Sequence, residues 1–224
     1  MAPWTRDDLP LTAPPESKLE AIARRAFDVV FASCVLFVTA PIIAIAAIAV
    51  RVESPGPALF RQQRMGLRGR EFTLVKLRGM FIDARERFPE LYAYQSVDPT
   101  AIDRFYFHDD EPDPRVTKVG RMLRRYSIDE LPNFWKVLRG DMSVVGPRPE
   151  IPELAEIYGP RLELCLSVKP GVTSPAKALG RDTLSLEETI RMDLDYVQNR
   201  TLLTDLRTVV DTTFGIVSGS NRPA

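Results

Sequence analysis

The stretch densest in chemistry-bearing side chains is residues 121–150, RMLRRYSIDELPNFWKVLRGDMSVVGPRPE. Its centre is a pair of adjacent carboxylates, Asp129 and Glu130, preceded by Arg124 and Arg125. Cations and a helix N-terminus both lower a carboxylate's pKa, so Asp129 is expected to be ionised. An ionised carboxylate can attack phosphorus or hold a divalent cation, and the same positive field receives a phosphate. Arg148 stands between Pro147 and Pro149, which fix the backbone on either side of a guanidinium able to grip two phosphate oxygens. Lys76 lies in FTLVKLRGM (residues 72–80), whose alternation reads as a strand with Lys76 and Arg78 on one face. Each feature has a plainer reading. Ser127 and Glu130 have capping-box spacing with Pro132 in the first turn, the Pro-Arg-Pro run can be a stiff solvated turn, and a charged strand edge guards against aggregation. Residues 169–173, KPGVT, carry a turn signal.

These residues need elements to position them. Residues 29–50 run 22 positions without a charge. That is long enough to cross a bilayer core of about 30 Å at roughly 1.5 Å per residue. Pro41 falls mid-segment, where a kink is expected. Both flanks are basic: Lys18, Arg24 and Arg25 before, and Arg51, Arg61, Arg64, Arg68 and Arg70 after. A crossing helix should show a charge asymmetry. The residues therefore leave two readings level: a re-entrant segment bent at Pro41, or a kinked spanning helix. After the break at residues 54–57, residues 58–64 and 71–77 suggest a β-hairpin. Residues 80–94 look helical, and residues 98–114 form an acidic, loop-like stretch in which His108 reads as a surface residue. Leu131, Phe134, Trp135 and Leu138 have helical spacing, closed by Gly140. Residues 185–217 read as amphipathic helix, with Leu186, Ile190, Leu194 and Val197 on one face. The proline-rich leader, residues 1–16, is expected to be disordered, and Cys34 and Cys165 are expected to pack in apolar surroundings.

Composition closes off several classes. The 224 residues contain 30 Lys and Arg against 30 Asp and Glu, with one His and two Cys. A disulfide scaffold, an all-cysteine zinc site and multi-histidine metal chemistry are excluded. The zero net charge is segregated: residues 61–87 and 115–148 each hold eight basic and three acidic residues, +5 apiece. Such blocks beside a membrane segment point to headgroups or a phosphate-bearing substrate. With no helix-turn-helix, zinc or aromatic RNA motif, nucleic acid is not an expected partner.

The ordered motifs RAFD (residues 25–28), SPGPALFRQ (54–62), KLRGM (76–80), RVTKVGR (115–121), SIDELPNFWKVLRGDMSVVGPRP (127–149), KPGVT (169–173) and GR (180–181) resemble the bacterial sugar transferases. These are monotopic phosphoglycosyl transferases acting on polyprenol phosphate, and the resemblance covers residues 24–211. It implies transfer of a sugar 1-phosphate from a UDP-sugar to polyprenol (undecaprenyl) phosphate, releasing UMP and starting surface-glycan synthesis. It further implies Asp129 as nucleophile, forming a covalent phosphosugar intermediate, and as ligand of Mg²⁺. Glu130 is implied as its catalytic partner, and Arg148, Arg124 and Lys76 as phosphate- and substrate-binding residues. The fold expected is α+β, mostly α. Residues 17–51 would form a re-entrant membrane helix broken at Pro41, and residues 52–217 a catalytic domain with a small hairpin and amphipathic interfacial helices. Residues 218–224 would be a tail. The partners expected are the UDP-sugar, polyprenol phosphate and the lipid bilayer, with a homodimer left open. The location expected is the cytoplasmic face of the bacterial inner membrane. The chain departs from the family where Gly, a bulky apolar residue, Ala and Gln often follow the PGVT run; here stand Ser174, Pro175, Ala176 and Lys177. Two other readings compete: a non-catalytic membrane scaffold of a glycan-assembly complex, in which residues 127–130 only cap a helix, and a membrane phosphohydrolase.

Overall fold

A computed structural model describes residues 13–92, 113–180 and 184–218. His108, most of the acidic 98–114 stretch, most of the leader and residues 219–224 lie outside them. The chain opens into α1, Lys18–Glu53, started by a capping box: Ser17 Oγ accepts the Glu20 N–H, and the Glu20 carboxylate accepts the Ser17 N–H. The break expected at Pro41 is absent, because the helix runs through it. A proline costs its own N–H bond and crowds one carbonyl. That loss stays within a single turn, where Thr39 Oγ1 donates to the Val35 carbonyl at 2.7 Å.

Both ends of α1 are fastened to the rest of the protein. Near its start Arg25 donates to the carbonyls of Val137 (2.6 Å) and Leu138 (2.7 Å). Asp28 accepts from Ser143 Oγ and the Val144 N–H. At its end Glu53 accepts the N–H groups of Lys118 and Val119, both at 2.8 Å. Glu16, at the edge of the leader, pairs with Arg24 and Arg200. The outward side of α1 is bare: Phe37 is 85% exposed, and Val30, Val38, Ile45 and Ile48 are also exposed. Cys34 belongs to this outer face. The packing role expected for it is not met, since no protein covers that side of the helix.

The hairpin forms as expected. Strands β1 (Leu59–Met65) and β2 (Glu71–Leu77) pair antiparallel with Leu59 opposite Leu77. The helix expected over residues 80–94 shrinks, within the described residues, to the single-turn α2 (Ala84–Arg87) and a 3-10 turn, Pro89–Tyr92. Helix α3 (Lys118–Arg125) is capped by Thr117, and α4 (Phe134–Arg139) ends at Gly140 in the left-handed conformation. Strand β3 (Ser143–Val145) pairs in parallel with β4 (Gly171–Thr173), so the expected turn at residues 169–173 delivers a strand. The approach between them requires glycine, since a Cβ on Gly171 would lie 2.2 Å from the Gly146 nitrogen.

Helices α5 (Ala155–Tyr158), α6 (Arg161–Cys165) and α7 (Pro175–Gly180) lead to α8 (Leu186–Asn199) and α9 (Leu202–Ser218). The predicted face of α8, Leu186, Ile190, Leu194 and Val197, is fully buried in the main core with Phe134, Val137 and Val144. Truncating one such side chain to Ala typically costs about 2–5 kcal/mol. Helix α9 instead turns Leu203, Val210, Phe214 and Val217 outward, the one-sided pattern of an amphipathic helix. The whole is α+β and mostly helical.

Candidate functional site

The carboxylate pair is carried by a 3-10 turn, Ile128–Asn133, that leads directly into α4. The capping box read from the sequence does not form. Ser127 sits in the left-handed region (φ 54°, ψ 22°) with no side-chain cap bond. A serine there is uncommon, and such backbone strain clusters at functional sites. The turn is pinned to the hairpin by Asn133, whose Oδ1 accepts the Val75 N–H at 3.1 Å. This brings Lys76, the next residue, onto Glu130.

Glu130 is held from two sides. Lys76 Nζ donates to its Oε1 at 3.0 Å, and Lys177 Nζ, from α7, donates to its Oε2. Lys177 also donates to the Val172 carbonyl at 2.8 Å. Two ammonium groups on one carboxylate explain why Glu130 does not reach back to cap its own turn. Asp129 beside it is buried, 6% exposed, and its Oδ1 has no hydrogen-bond partner among the described residues. A buried carboxylate oxygen without a partner is costly unless something arrives to meet it.

Arg148 is built into a second carboxylate cluster. Its backbone N–H donates to Asp193 Oδ2 at 2.9 Å, and its Nε lies 3.4 Å from Glu150 Oε1. Burial pushes Asp193 up to about 7, helped by the Glu150 charge and opposed by the Arg148 N–H and by Ser174. Tyr158, Cys165 and Asp193 enclose a water-sized gap behind the arginine, and burial raises both the phenol and the thiol. Arg64 lies between the two clusters. It donates to the Pro149 carbonyl at 2.8 Å and feels the charges of Glu150, Arg148 and Glu130.

Of the residues singled out from the sequence, Lys76 and Glu130 are in direct contact, with Asp129 next in the chain. Arg148 occupies the neighbouring cluster, while Arg124 sits on α3 against Gly79, just past β2. Arg78 does not share the face of Lys76. It is buried past the strand end and donates to Ser54 Oγ (2.9 Å) and its carbonyl (2.6 Å), locking the end of α1. Lys177, Arg64, Glu150 and Asp193 were not read as site residues. Asp193 carried a signal: it falls inside the buried stripe of α8, three residues after Ile190, where an acid needs a reason to be.

Among the described residues no three His, Cys, Asp or Glu side chains converge to cage a cation. Asp129 Oδ1 nonetheless fits magnesium. That ion is commonly held by one or two carboxylates together with substrate phosphates and water.

The sequence pattern of one family, described as bacterial sugar transferase, matches residues 19–219. Among individual relatives, a UDP-glucose:undecaprenyl-phosphate glucose-1-phosphate transferase of Caulobacter vibrioides is 38% identical, the match covering 94% of this chain and 77% of that protein. A protein of the same description from Escherichia coli is 36% identical over 92% of this chain, which spans 42% of it. The exopolysaccharide production protein ExoY of Rhizobium meliloti is 34% identical over 85% of this chain and 84% of its own length.

Proposed function

The chain belongs to the bacterial sugar transferase family, and from that premise we propose that it moves a sugar 1-phosphate from a UDP-sugar to polyprenyl phosphate at a membrane surface. The observation that carries this reading is the Asp129–Glu130 pair: one carboxylate is buried with a vacant oxygen, the other is clamped by two lysines. A helix-capping scaffold would need the capping box that the turn does not make.

The chemistry runs as two displacements. Asp129 attacks the sugar-bearing phosphorus of the donor; the new bond is Asp129 oxygen to phosphorus, and the bond to UMP breaks. A lipid phosphate oxygen then attacks the same phosphorus, giving polyprenyl diphosphate sugar and restoring the Asp129 carboxylate. Splitting transfer this way lets a water-soluble donor and a lipid acceptor use one site in turn. Glu130, fixed by Lys76 and Lys177, is placed to take a proton from the lipid phosphate. Arg148, on its braced loop, grips phosphate oxygens in a forked geometry, and Arg124 adds positive field from α3. Asp129 Oδ1 and the donor diphosphate would together hold magnesium, which neutralises phosphoryl charge when bound.

Helix α1 supports attachment to one face of the bilayer. Both ends of its 36 residues grip the same domain. Its bare apolar side and the outward stripe of α9 supply the lipid-facing surface. The basic flanks support a domain on the cytoplasmic face of the inner membrane. Asp129→Asn is expected to abolish UMP release and formation of a radiolabelled sugar-phosphate adduct while the protein still sediments with membranes. Turnover retained by that variant would remove Asp129 as nucleophile.

A further inference from the structure

Between α1, the 3-10 turn, the β3–β4 pair and α9 lies a cavity of about 200 Å³. Its walls are Phe31, Val35, Phe134, Val144, Val209 and Ile216, and the charged groups that line it are Glu130 and Lys177. Its threonines are turned to the same end. Thr212 and Thr213 each bond back to the carbonyl four residues earlier, at 2.7 and 2.8 Å, and Thr212 also meets Thr173 at 2.7 Å. Those hydroxyls are satisfied by backbone carbonyls and, for Thr212, by Thr173. A cavity of such size with apolar walls stays dry and takes apolar guests.

The cavity lies directly under the outward stripe of α9. Val209 and Ile216 face it, while Val210, Phe214 and Val217 on the same helix face outward. Lys177, the residue at which this chain departs from the commoner Gln, lines it together with Glu130. Apolar walls shared with the helix that carries the outward stripe, and a cation in the lining, are complementary to one kind of molecule: an isoprenoid chain ending in phosphate. We propose that this cavity seats the first isoprene units of the lipid acceptor and that Lys177 holds its phosphate beside Glu130. This rests on the transferase reading above and assigns the acceptor to its own subsite, apart from the Arg148 cluster.

The test is binding without donor, using the full chain in lipid nanodiscs with tritiated undecaprenyl phosphate, and undecaprenol for comparison. Thr213→Trp, at an exposed helical position, and Val209→Trp both fill the cavity. Each is expected to weaken undecaprenyl phosphate binding by on the order of tenfold or more. Lys177→Gln is expected to lose roughly tenfold for the phosphate and nothing for undecaprenol. Unchanged binding in Thr213→Trp with an unchanged melting temperature overturns the cavity assignment. Equal loss of both lipids in Lys177→Gln overturns the role of Lys177. Binding that follows the expected pattern without any transfer from a UDP-sugar panel would sink the transferase reading and leave the acceptor site standing.

Discussion

Two carboxylate pairs stand on either side of Arg64, and they are built in opposite ways. Glu130 of the first pair has a lysine on each oxygen, so its negative charge is matched in place. Asp193 of the second is 1% exposed beside Glu150. It accepts the Arg148 backbone N–H, and burial raises it to about 7. Positive charge brought to a carboxylate keeps it ready to act as an anion; withholding solvent and counter-charge lets it keep a proton near neutrality. The first arrangement suits a group that handles protons and phosphate charge in each turnover. The second suits a brace: Asp193 fixes the loop that projects Arg148 through the backbone N–H, and Glu150 steadies the guanidinium.

The contrast is broken most severely at Glu130. Glu130→Gln keeps the shape and removes the charge, leaving Lys76 and Lys177 without their shared partner. Steady-state UMP release is expected to fall by on the order of 10²-fold or more, the scale on which positioned acid–base groups contribute. A loss under threefold would mean that the lysines, not the carboxylate, are what the site uses there.

At Arg148 the second cluster meets the first. Arg148→Lys retains the positive charge, the backbone bond to Asp193 and the two flanking prolines, and loses the fork together with the Nε contact to Glu150. A drop in kcat/KM of roughly 10- to 100-fold is expected, with the melting temperature little changed because the brace is made largely by backbone. If the lysine variant matched the parent, Arg148 would be acting as a simple point charge.

The hairpin, the cap at Gly140 and the buried face of α8 were within reach of the sequence, because each rests on local periodicity or on spacing within one segment; Lys76 is assigned to the site only through the family resemblance. What was not legible came from distant pairings. Nothing in residues 174–177 says that Lys177 reaches Glu130, 47 positions away, and the parallel pairing of Gly171–Thr173 with Ser143–Val145 is invisible in a KPGVT turn signal. Arg78 misled for a related reason: alternation along β2 stops at its end, where the chain turns toward Ser54. The capping box misled because its spacing was correct while a stronger electrostatic partner had claimed the glutamate. Pro41 misled because a missing hydrogen bond need not end a helix whose flanking turns are anchored at both ends.

The smallest expected effect tests the second cluster alone. In the folded chain Asp193 titrates near 7, against an ordinary aspartate at 3.8, so between those values the native state holds a proton that the unfolded chain releases. Stability from this group is therefore fully present below about pH 4 and is lost as pH rises through about 7. Asp193→Asn has no proton to lose and keeps an oxygen to accept the Arg148 N–H. The difference in unfolding free energy between variant and parent, read from urea titrations, should thus be near zero at pH 4 and grow in favour of Asn until just above neutrality, reaching a few kcal/mol at most. Because Glu150, Arg148, Tyr158 and Cys165 face the same gap, they remain as a common background in both proteins. A difference that stays flat with pH would show that Asp193 is ionised throughout, and the two carboxylate pairs would then differ in exposure and not in charge.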